Sequence, residues 1–165
     1  MRLRLCSVVG LIVLPRLACE ALVFSADRAF ISITNPKQKP AVLPRQNPVL
    51  RLRFHDIDAS LPGYTAMSLA DGIAIFDYID TLPSTVKELV IHCEHGASRS
   101  SAVGLFLSEW LGCPVDWDGN GAPNSLVLRR LYFAAMHRYW YSLSNLKKLS
   151  RMKKRLLTTY SARRK

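Results

Sequence analysis

Cys93 and Arg99 bracket the stretch Glu94-His95-Gly96-Ala97-Ser98, with the apolar run Glu88-Leu89-Val90-Ile91-His92 before it and a helix-permissive run after it. A turn between a buried strand and a helix N-terminus binds anions. Backbone N–H groups of Glu94, His95, Gly96, Ala97, Ser98, Arg99 and Ser100 can converge on a phosphate, and the helix dipole favours its charge. Gly96 permits a backbone conformation that a side chain would obstruct. The Arg99 guanidinium can chelate two phosphoryl oxygens as a bidentate fork, which a lysine would do less well. The same dipoles and guanidinium would stabilise a thiolate at Cys93, the nucleophilic form of the group. The chemistry suggested is attack of sulfur on a bound phosphoryl group, with no metal and no cofactor.

A phosphomonoester also needs its leaving oxygen protonated, and a carboxylic acid on a neighbouring loop supplies roughly 10²–10⁴ in rate. Asp56 and Asp58 are the candidates. Asp71 pairs with Ser68 in a capping-box pattern and so already has a structural task.

These residues need elements to hold them. Ala29-Phe30-Ile31-Ser32-Ile33-Thr34 has the β-branched and aromatic enrichment of a strand, ended by Asn35-Pro36. A loop from Pro36 to Pro48 contains four prolines, after which Val49 to Phe54 alternates with period two as a second strand. That strand delivers His55-Asp56-Ile57-Asp58 into a loop. Met67 to Leu82 reads as a helix, with Leu69, Ile73, Phe76 and Ile79 on one face and Pro83 as its stop. Glu88 to His92 is a buried strand, Ser100 to Leu111 a helix ended by Gly112 and Pro114, and Ser125 to Met136 another helix. Strand, loop and helix in this order imply an α/β fold of three layers, a mainly parallel sheet flanked by helices, with ligands at the carboxyl ends of the strands.

At 165 residues the chain has the length of one domain with a single core. The N-terminal run from Leu5 to Leu14, behind Arg2 and Arg4, resembles a short signal peptide, but Pro15 and Arg16 interrupt it and it is too short to span a bilayer. A buried strand over Leu3 to Val9 followed by a helical turn is the expectation. Cys6, Cys19, Cys93 and Cys113 show no zinc-like or CxxC spacing, which fits a reducing, cytoplasmic setting better than a disulfide framework.

The net charge of +11 is uneven: Asp118 is the last acidic residue, and twelve of the 23 Lys and Arg lie at or beyond Arg129. We divide the chain into a body, 1–142, and a basic tail, 143–165. In the tail Leu146, Leu149, Met152, Leu156 and Leu157 fall on one arc of a helix, opposite Lys147, Lys148, Arg151, Lys154 and Arg155. Such a helix either packs on the body or contacts an anionic membrane or nucleic acid weakly; no specific nucleic-acid motif is present.

The segment His92-Cys93-Glu94-His95-Gly96-Ala97-Ser98-Arg99-Ser100 is similar to the HCxxGxSRS signature of dual-specificity phosphatases, members of the cysteine-dependent protein tyrosine phosphatase superfamily. The likeness spans about Ala29 to Met136 and is strongest from Val90 to Gly104. It implies that Cys93 forms a cysteinyl-phosphate, Arg99 holds the phosphoryl group, Ser100 helps the thiolate leave, and His92 orients the loop and tunes the thiol. It also favours Asp56 as the acid, leaving Asp58 as the alternative. Ala122-Pro123-Asn124 resembles the family's Pro-Asn element, whose asparagine braces the phosphate loop, and Asn124 is equally a good helix N-cap. The implied substrates are phosphorylated proteins or small aryl phosphates, with phosphotyrosine foremost. Phosphoinositide and RNA 5′-phosphatases of the same superfamily, a rhodanese-type sulfurtransferase and an inactive phospho-partner binding module are the other readings.

Overall fold

The structure is a computed structural model that describes residues 7–139 and, beyond them, Lys147, Ser150, Arg151 and Lys154. Its centre is a five-stranded sheet: β1 (Gly10–Pro15), β2 (Arg28–Thr34), β3 (Val49–Arg53), β4 (Glu88–Cys93) and β5 (Val115–Asp116). The strands lie in the order β3-β2-β4-β1-β5, and every pairing is parallel. The helices are α1 (Arg16–Glu20), α2 (Leu69–Thr81), α3 (Arg99–Leu111) and α4 (Ser125–Tyr139). The expected α/β class with a parallel sheet and flanking helices is what the chain forms.

Alternation along the strands sorts the core into two parts. Leu11, Val13, Ala29, Ile31, Ile33, Leu52, Leu89, Ile91 and Cys93 join Phe76, Phe106 and Trp110 of the helices in one large cluster. Phe76 meets Phe106 and Trp110 edge-on, at ring-centroid distances of 6.2 and 5.6 Å. The residues between them, Phe30, Val90, Ile12 and Leu14, form a smaller cluster with Cys19, Ala41 and Leu43. The steps from β1 to β2 and from β2 to β3 run over this second face. The steps through α2 and α3 run the other way along the sheet and over the first face. A single crossover hand requires that change of face when the direction of travel reverses.

The Pro-rich segment therefore has a structural task that its composition alone did not disclose. Parallel neighbours need a crossover of a dozen or more residues, and 35–48 provides it without a helix. Three arginines hold it down through its carbonyls: Arg16 donates to Pro40 O, Arg51 to Ala41 O and Arg53 to Pro36 O.

One expectation needs correction and one refinement. The first strand is Gly10–Pro15, not Leu3 to Val9, and of the expected span Ser7, Val8 and Val9 are not strand. The apolar run has no internal phase; its place is set by pairing with β4, from Gly10 opposite Glu88 to Pro15 opposite Cys93. The helical turn does follow, as α1. On α2 the buried residues are Gly72, Ile75, Phe76 and Ile79, while Leu69 and Ile73 are only partly buried. The helix is gripped on two sides: a Cβ at Gly72 would lie 2.7 Å from Ala134 Cβ of α4.

Other boundaries agree closely, including the Ser68/Asp71 capping box and the αL cap of α3 at Gly112, φ 73°. No helix among the described residues is long and apolar enough to cross a membrane. Lys147, Ser150, Arg151 and Lys154 are helical and exposed. The expected apolar arc of the tail, the 142/143 boundary and residues 1–6 lie outside the described residues.

Candidate active site

Because every strand is parallel, the carboxyl ends of β3, β2 and β4 open on one edge. Asn35, His55 with Asp56, and the loop from Cys93 to Arg99 therefore meet there. With Ile57, Tyr64, Glu94 and His95, Asn35, His55, Asp56 and Arg99 line a cavity of about 350 Å³.

Cys93 is the last residue of β4 and is 2% exposed, its Sγ 3.0 Å from Ser100 Oγ. Gly96 has φ 72°, and a Cβ there would stand 2.7 Å from Pro15 N and 2.9 Å from Leu14 C, so the loop rests on the backbone at the end of β1. Only glycine meets both requirements. Gly121 approaches the loop from the far side, with its φ of 92° and a Cβ position 2.6 Å from Ala97 Cβ. Glu94 turns outward; its carboxylate accepts from Gln38 Nε2 at 3.3 Å, and its carbonyl accepts from Arg16 N.

Ser98 occupies the N-cap position of α3 but makes no capping hydrogen bond. Its hydroxyl donates to Asp56 Oδ1 at 2.7 Å. Among the described residues, none of the backbone N–H groups from His95 to Ser100 donates a hydrogen bond. An uncapped helix N-terminus with idle donors in the loop before it is a place for an anion.

Arg99 is 2% exposed, an extreme position for a cation. One amino group is occupied: NH1 donates to Asn35 Oδ1 and to Phe54 O, both at 2.8 Å. Nε is buried and has no hydrogen-bond partner among the described residues, the nearest carboxylate oxygen being Asp56 Oδ2 at 3.9 Å. The guanidinium is thus anchored at one end, leaving the fork that chelates oxyanions open.

The structure separates the two aspartates. Asp56 lines the cavity, and its Oδ1 accepts from Ser98 and, at 2.8 Å, from Asn124 Nδ2. Asp58 instead accepts from Ser125 N and Ser125 Oγ at the start of α4 and does not line the cavity. Asn124 caps α4, its Oδ1 accepting from Val127 N; its side-chain Nδ2 donates to Asp56 and Ile57 O, and its backbone N–H donates to Ser98 O. His92 points to the opposite face, Nε2 2.8 Å from Ser32 Oγ. Burial, the largest cause, holds its pKa below the usual histidine value, with the Cys93 backbone opposing.

Asn35, Tyr64 and the imidazole of His55 are site residues that sequence reasoning did not single out. His55 Nδ1 accepts from Thr65 N at 2.9 Å, and its ring meets Tyr64 edge-on at 5.1 Å. Asn35 was legible only as a strand-ending Asn-Pro; the available signal was its place at the carboxyl end of a strand. Among the described residues no group of three or more His, Cys, Asp or Glu is placed to hold a metal ion. Cys19, Cys93 and Cys113 are free thiols. No family model, curated protein or solved structure matches the chain.

Proposed function

We propose that the protein is a cysteine-dependent phosphomonoester hydrolase acting on phosphotyrosine or related aryl phosphates. The observation that carries this is the pairing of Cys93 Sγ, 3.0 Å from a hydroxyl, with a buried Arg99 held by NH1 while its Nε has no partner among the described residues. In the reaction so read, Cys93 sulfur attacks phosphorus and the bond to the ester oxygen breaks. Asp56 gives that oxygen its proton, and the loop amides with Arg99 hold the phosphoryl oxygens. Water then attacks the cysteinyl-phosphate, Asp56 takes its proton, and the S–P bond breaks to a thiolate that receives the Ser100 hydrogen bond. Inorganic phosphate leaves.

Asp56 suits the acid's role because both its hydrogen bonds fall on Oδ1, so Oδ2 is the oxygen that would carry the proton. Among the described residues that line the cavity, Arg99 is the only Lys or Arg. That favours one phosphate over a polyphosphorylated headgroup or an RNA 5′-triphosphate. The rings of Tyr64 and His55 give the wall an aromatic surface for an aryl ester.

Metal-independent cleavage of an aryl phosphate, blocked by vanadate and lost in Cys93→Ser, is expected. A purified chain inert toward aryl phosphates and phosphotyrosine peptides would sink the reading. Tyr64→Ala should lower kcat/KM for a phosphotyrosine peptide more than for a phosphoserine peptide, and equal losses would remove the aryl preference. Asp56→Asn should flatten the alkaline side of the pH profile of kcat/KM for a poor leaving group, because the acid acts only while protonated, an effect Asp58→Asn should lack.

A further inference from the structure

We infer that Asn35 is a positioning residue for Arg99, setting the guanidinium so that the Nε edge faces a bound phosphoryl group; this rests on the phosphatase reading above. A buried guanidinium on a flexible stem can rotate unless its donors are fixed. Among the described residues only Nη1 is fixed, by two acceptors 2.8 Å away on different strands' ends: Asn35 Oδ1 after β2 and Phe54 O after β3. The backbone carbonyl holds NH1 from one direction; the amide oxygen supplies the second direction that stops rotation. Because the amide is neutral, it anchors the cation without cancelling the charge that must bind the anion. A carboxylate in its place would anchor Arg99 as well and weaken its hold on phosphate.

Asn35 is itself locked. Its N–H donates to Gln38 Oε1 and its carbonyl accepts from Gln38 N, both at 3.0 Å, while Gln38 Nε2 reaches the carboxylate of Glu94. One turn at the start of the Pro-rich crossover thus touches both the clamp and the residue next to the nucleophile. Misplacing a reacting group by about 1 Å costs on the order of 10²-fold in rate, which is the scale on which such a contact acts.

The test is kinetics and vanadate inhibition on an aryl phosphate for wild type, Asn35→Ala, Asn35→Asp, Arg99→Lys and the double variant Asn35→Ala/Arg99→Lys. Asn35→Ala should lower kcat/KM roughly 10- to 100-fold and weaken vanadate inhibition in parallel. Asn35→Asp keeps the acceptor, so it should retain kcat while raising KM and the vanadate inhibition constant. In the Arg99→Lys background, which lacks the fork, Asn35→Ala should cost nothing further. Equal losses in both backgrounds, or Asn35→Asp lowering kcat as alanine does, would make the role structural and overturn the proposal. An active wild type with an unaltered Asn35→Ala overturns this inference alone, whereas an inactive wild type removes the phosphatase reading and this inference with it.

Discussion

The two faces of the sheet are covered by different means. Under α2, α3 and α4 lies a large apolar cluster with Phe76, Phe106 and Trp110 at its centre. The opposite face is roofed by a five-residue helix and the Pro-rich crossover, over a small cluster that includes Phe30, Val90 and Leu43. That side also holds a polar pair, His92 with Ser32, and arginines bonded to loop carbonyls. The comparison teaches that cohesion and positioning are divided. The helical face supplies most of the buried apolar surface. The roofed face holds Asn35, Gln38 and His92 beside Arg99, Glu94 and Cys93, and from the helical face it is Asn124, just before α4, that reaches Asp56 and Ser98.

Four substitutions and one titration test this division. Phe106→Ala, on the helical face, should cost about 3–5 kcal/mol in chemical unfolding, with the surviving folded fraction retaining its kcat. Leu43→Ala, in the roof, should cost about 2–3 kcal/mol yet lower kcat/KM further than Phe106→Ala does. If activity instead follows stability on both faces, the division is wrong. Ser32→Ala leaves His92 Nε2 without its partner, at about 1–3 kcal/mol, and, on the proposed function, lowers turnover because His92 precedes Cys93.

The titration uses His92, which burial holds below the usual value of 6.5. The unfolded chain takes up this proton before the folded one does. The His92 contribution is therefore complete above that value and is lost as the pH falls below it toward the lowered value. Urea midpoints at pH 5.5 and 7.5 should differ in wild type, and a His92→Asn variant should narrow the gap. Smallest of all should be Arg138→Ala. It breaks pairs with Asp77 and Asp80, whose side chains are 57% and 41% exposed, so about 0.2–1 kcal/mol is expected.

Much of this was legible in the residues. The strand before Cys93, the helix after Arg99, the Ser68 and Asp71 cap and the Gly112 stop are each signalled within a few positions, because each is a local requirement of the backbone. What was not legible depended on partners far along the chain. The first strand slipped because an unbroken apolar run carries no phase until β4 lies beside it. The face of α2 that carries Leu69, Ile73, Phe76 and Ile79 is legible from spacing, whereas the burial of Gly72 depends on Ala134, which packs against it from α4. Asn124 reads as a helix N-cap in the sequence and caps α4, while its side-chain amide reaches Asp56 and Ile57, partners that no local pattern signals. The Pro-rich segment looked like mere punctuation because its arginine partners lie on β3 and α1.

The charge is divided too: residues 7–139 contain twelve basic and twelve acidic side chains, so the excess of +11 resides wholly in the two ends of the chain. Deleting 143–165 separates the tail's two readings: loss of adsorption to anionic vesicles with turnover intact makes it a surface contact, and loss of folding makes it a helix packed on the body.

The seat of Gly96 on Leu14 and Pro15 has a consequence for the order of events in folding. Strand β1 is made first but lies between β4 and β5, so its place does not exist until residues 88–116 have emerged. Pairings this distant form slowly, and a waiting apolar segment is exposed meanwhile. Since the 93–99 loop rests on the end of that strand, the site cannot close until β1 inserts. Recovered activity after dilution from denaturant should thus appear no earlier than the pairing of β1 with β4.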